Sequence, residues 1–132
     1  MRNLHIIILL FFIPSCLFAQ KIEIGDCTTR DGGRYHGQMF RGKPNGRGKT
    51  VYKKGNVYEG EYMKGFRQGE GTYTFSDGEK YTGQWFQDQQ HGQGVYYFSN
   101  GNRYDGLWYK DYQQGQGTMY YYNGDKYVGN WD

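Results

Sequence analysis

The sequence predicts an all-β chain: an elongated, single-layer antiparallel meander of stacked β-hairpins, preceded by a signal-peptide helix. Three observations carry this. A frame of tyrosine, glycine two places later and a Gly-x-Gly further on recurs at a fixed step of twenty-three residues, with no gap or insertion. Aromatic residues make up 20% of the chain, with 15 tyrosines and 22 glycines, and aliphatic residues are scarce after the first twenty positions. That composition suits a thin sheet with one aromatic face, not a globule around a Leu/Ile/Val core. Beyond residue 20 no stretch has helical periodicity.

The first element is residues 1–19, MRNLHIIILLFFIPSCLFA. Arg2 supplies a positive start, Leu4 to Ile13 an apolar run, and Ala19 a small residue for cleavage, so the pattern is a secretory signal peptide and the mature chain begins at Gln20. The run is too short for a spanning helix, which needs ~20 apolar residues. A second processing route starts from Ile13-Pro14-Ser15-Cys16, which resembles the bacterial lipoprotein box and would leave a lipidated Cys16 as anchor. Either route places the protein outside the cytoplasm. With cleavage after Ala19, Cys27 is alone and no internal disulfide is available. Cys27 aligns with Thr50, Tyr73, Tyr96 and Met119, so it reads as a small residue filling a strand position; an intermolecular disulfide is the functional alternative.

Residues 20–34 form a partial repeat, in which Gly25 matches the second glycine of Gly-x-Gly and Gly32 the turn glycine. The array proper covers 35–132. Its units are 35–57, 58–80, 81–103 and 104–126, and 127–132 is the first strand of a fifth. The frame tyrosines are Tyr35, Tyr58, Tyr81, Tyr104 and Tyr127, followed by Gly37, Gly60, Gly83, Gly106 and Gly129. The Gly-x-Gly of the third unit is Gly92 and Gly94, and tryptophan stands four places after the tyrosine at Trp85, Trp108 and Trp131.

Each unit holds two extended runs, Tyr81–Phe86 and Gly94–Phe98 in the third, rich in residues that favour strands. Asp77-Gly78, Asn100-Gly101 and Asn123-Gly124 suit tight hairpin turns, and the polar Asp88–His91 reads as the longer connection. Ten strands about 4.8 Å apart give a sheet about 45 Å long. Tyr81, Gly83 and Trp85 share one face, and the hollow at Gly83 is expected to be covered by Tyr96 or Phe98 of the adjoining strand.

The motif Tyr-x-Gly-x-Trp…His-Gly-x-Gly…Gly, met most fully by Tyr81, Gly83, Trp85, His91, Gly92, Gly94 and Gly101, resembles the MORN repeat. The resemblance runs from Gly25 to Asp132. Departures are mild: Met39 and Tyr62 replace tryptophan, and Asp88 and Asp111 stand where Gly42 and Gly65 occur. What the resemblance implies is a hairpin meander without catalytic machinery, serving as a scaffold, a membrane-associated linker or an appendage to enzymes. Some of those enzymes are phosphoinositide kinases, but the array leaves no residues here for a kinase domain.

The residues agree that this is not an enzyme. Gly69-Glu70-Gly71 and its equivalents lack the Lys-Ser/Thr of a phosphate-binding loop. No His or Cys pair has metal-ligand spacing, so no cofactor is expected, and His91 reads as a turn residue. A net charge of +3 with interspersed signs is not a nucleic-acid footprint. Three functions remain. The first is an exported interaction or scaffold module that binds a protein, or itself, through an edge strand at Tyr127, Val128 and Trp131. The second is peripheral binding of anionic lipid head groups by a basic row of Lys80, Arg103 and Lys126, which share one repeat position. The third is carbohydrate binding on exposed rings, with Trp108 as the test residue.

Overall fold

A computed structural model describes residues 21–132. The predicted signal peptide and the Cys16 box lie outside the described residues. Ten strands follow one another: β1 (Glu23–Thr28), β2 (Arg34–Phe40), β3 (Lys43–Val51), β4 (Val57–Met63), β5 (Phe66–Thr74), β6 (Lys80–Phe86), β7 (Gln89–Tyr97), β8 (Arg103–Tyr109), β9 (Tyr112–Tyr120) and β10 (Lys126–Trp131). They form one open sheet in sequence order, every neighbouring pair antiparallel. The described residues contain no helix.

The connections alternate between two kinds, and they reverse the order read from the sequence. The tight turns are two residues long, Arg41-Gly42, Lys64-Gly65, Gln87-Asp88 and Lys110-Asp111. Both residues of each have positive φ, for example 47° at Gln87 and 70° at Asp88. That is the geometry of a type I′ hairpin, whose twist matches that of the strands it joins. Asp tolerates this region of φ/ψ better than most residues, which is why Asp88 and Asp111 can stand where Gly42 and Gly65 do. The Asp-Gly and Asn-Gly pairs lie instead in five-residue loops. In the loop after β7 the Phe98 N–H donates to the Asn102 carbonyl and the Gly101 N–H to the Phe98 carbonyl, at 2.9 and 3.1 Å. Asp88–His91 is therefore not the longer connection, and the second strand of that unit starts at Gln89 rather than Gly94.

The second strand of a unit is longer because it carries a bulge. Gly83 pairs with Gly94 but Trp85 with Gln90, so three residues of β7 oppose the single Gln84. The Gln93 N–H in the bulge is taken by the Gln84 side-chain carbonyl at 2.8 Å.

The register places a glycine at the centre of every strand. Gly25, Gly37, Gly48, Gly60, Gly71, Gly83, Gly94, Gly106, Gly117 and Gly129 are successive cross-strand partners, a row of glycines running the width of the sheet. The frame tyrosines lie along this row. A Cβ at Gly94 would collide with the Tyr81 ring, and one at Gly48, Gly71 or Gly117 with Tyr35, Tyr58 or Tyr104. The cover over the glycines is thus the frame tyrosine itself, not Tyr96 or Phe98 as expected from the sequence. Each ring leans along its own strand, and its hydroxyl donates to the carbonyl three residues on: Tyr58 to Glu61 at 2.8 Å, Tyr81 to Gln84 at 2.7 Å.

Tyr35, Tyr58, Tyr81 and Tyr104 are 0–2% exposed, and the frame tyrosines alternate with the residues four places after them in one edge-to-face stack. Its order is Tyr35, Tyr62, Tyr58, Trp85, Tyr81, Trp108, Tyr104, Trp131, Tyr127, with centroids 5.0–5.4 Å apart and planes 78–88° apart. Edge-to-face contact is the favoured geometry for ring quadrupoles. Each indole N–H is satisfied in the preceding unit: Trp85 donates to the Gly71 carbonyl at 3.1 Å and Trp108 to that of Gly94 at 3.2 Å. Tyr62, which replaces a tryptophan, finds Thr50 Oγ1 at 2.5 Å instead. Burial keeps these phenols protonated: those of Tyr35, Tyr58 and Tyr81 are pushed well above their ordinary range, that of Tyr62 to about 12. Tyr96 and Phe98 form a flanking row, with Tyr96 5.9 Å from Trp108 and 6.0 Å from Phe75.

Candidate interaction surfaces

Both edges of the sheet, that of the tight turns and that of the five-residue loops, are cross-linked by side chains at fixed positions. Asp88 Oδ1 accepts the Arg67 N–H and Asp111 Oδ1 the Gln90 N–H, both at 2.8 Å and both one unit back. On the other edge Asn56, Glu79 and Asn102 accept the Ser76, Ser99 and Tyr122 N–H groups at 2.7–3.0 Å. The Ser99 N–H and then the Tyr96 hydroxyl hold the Glu79 carboxyl below the usual range, while burial acts the other way. The polar turn residues therefore stack one hairpin on the next.

A charged cluster on the stacked face is a feature the sequence reading missed. The loop after β1 reaches across to the β6–β7 turn, where Arg30 Nη2 meets Asp88 Oδ2 at 2.5 Å. Arg67 lies beneath, with Nε 3.3 Å from Asp88 Oδ1 and Nη2 donating to the Asp88 carbonyl at 3.0 Å. Its guanidinium faces the rings of Tyr73 and Trp85, 5.3 and 5.0 Å from their centroids. A shallow hollow of about 330 Å³ opens beside it, lined by Tyr73, Phe75, Trp85, Gln90 and Asp111 as well as Arg67 and Asp88. The signal was present in the repeat alignment, where Arg67 stands opposite Gln90 and Gln113, and Asp88 opposite Gly65. What the alignment could not supply was the contact between units more than two repeats apart.

The predicted basic row exists as a geometric row. Lys80, Arg103 and Lys126 begin β6, β8 and β10, on the face opposite the stack. Their cross-strand partners include Tyr97 and Tyr120, so cations and tyrosines alternate across five strands. Lys80 Nζ is 4.8 Å from the Tyr97 centroid and the Arg103 guanidinium carbon 4.2 Å from that of Tyr120. Lys126 is exposed.

His91 is not in a turn. It lies in β7 between Phe86 and Tyr109, its ring centroid 5.7 and 5.3 Å from theirs. His36 Nδ1 is 2.8 Å from Asp26 Oδ1. Cys27 is half-buried against the aromatic stack, and burial followed by the neighbouring Asp26 raises its thiol. The indoles present little face to a sugar: Trp85 and Trp108 are 6% exposed and flanked by tyrosines.

The last strand differs from its equivalents. β10 pairs with β9 and with nothing else among the described residues. Tyr127 keeps its contact with Trp131 but is 50% exposed, against 0–2% for the other frame tyrosines, and Val128 is 62% exposed. The MORN repeat family model matches residues 35–57, 58–80, 81–103 and 104–126. No curated protein matches the chain.

Proposed function

The chain belongs to the MORN repeat family, and on that premise we propose that it is a non-catalytic, exported interaction module whose working surface is the free edge of β10. One observation carries the proposal: Tyr127 is the frame tyrosine with half its surface in water. Every other frame tyrosine rests on a glycine of the strand that follows it. Among the described residues no such strand lies beside Tyr127, so an incoming one that places a glycine under the ring gains both a backbone ladder and a ring contact. Addition of a strand to a sheet edge is an established mode of peptide recognition, with main-chain bonds giving affinity and alternate side chains giving choice.

The test supplies the missing strand in trans. A labelled peptide of residues 112–122, which contains a complete second strand, is titrated with the protein by fluorescence anisotropy. The proposal predicts saturable binding, at least tenfold weaker for the Tyr127→Ala variant and absent for a scrambled peptide. Binding that ignores Tyr127→Ala, or no binding, contradicts it. Export belongs to the same proposal, and the mass of the protein recovered from its native cell decides the route: Gln20 as first residue supports cleavage after Ala19, a lipidated Cys16 makes the protein an anchored one, and an intact residue 1 contradicts export.

A second reading rests on the alternating row of Lys80, Tyr97, Arg103, Tyr120 and Lys126. Cations seated on aromatic rings at one face suit an anionic lipid surface, where each basic residue contributes about 1 kcal/mol. Pelleting with phosphatidylserine vesicles at low salt, lost at high salt and in the Lys80→Glu/Arg103→Glu/Lys126→Glu variant, is the expected result. Equal pelleting with neutral vesicles, or none, removes this reading.

A further inference from the structure

We infer that the partner of the β10 edge is the β1 edge of a second copy of this chain, so that copies join head to tail. The inference rests on the reading of β10 as the working edge and names what occupies it. Among the described residues, β10 is a first strand without its second, and β1 is a second strand without its first. The two halves belong to the same repeat. β10 occupies the position of β8, and β1 that of β9, in the twenty-three-residue phase.

The β8–β9 pairing fixes what the junction looks like. There Arg103 faces Tyr120, Tyr104 Met119, Asp105 Thr118 and Gly106 Gly117. Moved into phase, Lys126 of one copy faces Thr28 of the next, Tyr127 faces Cys27, Val128 faces Asp26 and Gly129 faces Gly25. The glycine row then continues from one copy into the other without interruption. The side chains match as well as the backbone. Tyr127 touches Gly129 of its own strand but, among the described residues, has no glycine of a following strand beneath it and is 50% exposed, while Gly25 lacks a tyrosine above it. A Cβ at Gly25 would meet only Met39 Sδ and Cγ, at 2.9 and 3.8 Å, whereas the equivalent Gly48, Gly71, Gly94 and Gly117 are each roofed by a frame tyrosine. Cys27, half-buried at this end, becomes the neighbour of the incoming ring.

Such an interface joins two different patches, so each junction leaves one free edge of each kind and the series is open-ended. Pairing of β10 with β10 would be self-complementary and would stop at a dimer. It would also place Tyr127 against another tyrosine strand with no Gly-x-Gly on which to lie.

The difference is testable by blocking one edge at a time. Gly25→Val puts a side chain where the incoming Tyr127 must lie, and in its own chain the added Cβ meets only the flexible end of Met39. Tyr127→Ala removes the ring from the other edge. By sedimentation velocity, the wild type is expected to grow in average mass with concentration, past the dimer and without a plateau. Each variant alone is expected to stay monomeric, with association at least tenfold weaker. The two mixed in equal amounts form a heterodimer and nothing larger, because Gly25→Val keeps its β10 edge and Tyr127→Ala its β1 edge. A register check uses a site exposed enough to leave the fold alone: Val128→Lys, opposite Asp26, tightens association about two- to fivefold and Val128→Asp loosens it by a similar factor. Dimerisation of Gly25→Val by itself, or a Val128→Asp variant as associated as Val128→Lys, overturns the head-to-tail junction. A wild type that is monomeric throughout while still binding the 112–122 peptide overturns the second copy as partner and leaves the edge reading standing. Failure of both leaves neither.

Discussion

Everything in this sheet depends on a tyrosine ring lying flat over a glycine of the next strand. A ten-stranded sheet in one layer has no second layer to bury it, and its apolar side chains are too few to make one. The solution is to build the cover from within. Each frame tyrosine lies along its strand, and the glycine beside it lets the ring descend to the backbone. Full burial of a tyrosine or tryptophan covers about 150–250 Å², worth several kcal/mol at about 25 cal/mol per Å² before entropy is counted. The tryptophan four residues later then fills the gap to the tyrosine of the preceding unit, and its N–H crosses to that unit as well. Burial and cross-strand bonding are thus carried by the same few residues in each repeat.

A structure held this way is one-dimensional. Each unit is completed by its neighbours, and among the described residues the incomplete units are the first and the last. In the head-to-tail junction proposed above, the exposed Tyr127 and the unroofed Gly25 are the two halves of one contact. Among the described residues, the contact that closes each internal repeat is unsatisfied in the first and last strands.

Much of this was legible in the sequence. The all-β class, the phase of the repeat and the shared face of Tyr81, Gly83 and Trp85 followed from spacing alone. The turns did not. Asp-Gly and Asn-Gly signal positive φ without saying whether the loop has two residues or five, and Gln87-Asp88 carries no glycine to announce a type I′ turn. The bulge opposite Gln84 lengthened β7 and moved its start to Gln89, so His91, read as a turn residue, lies in a strand. The cover over the glycines was assigned to Tyr96 or Phe98 because alternation tells which side chains share a face but not which way a ring leans. The Arg30–Asp88 contact joins units more than two repeats apart, which no local pattern encodes.

The account stands or falls on the coupling between ring and glycine, and a double-mutant cycle on Tyr81 and Gly94 measures it. Unfolding free energies are compared for the wild type, Gly94→Ala, Tyr81→Leu and the pair. Because a Cβ at Gly94 collides with the Tyr81 ring and with nothing nearer, Gly94→Ala is predicted to cost about 2–3 kcal/mol with the ring in place, in the range of overpacked cores, and less than about 1 kcal/mol once Tyr81→Leu has removed it. The same loss in both backgrounds would mean that the ring does not rest on the glycine, and that the sheet is held together by something else.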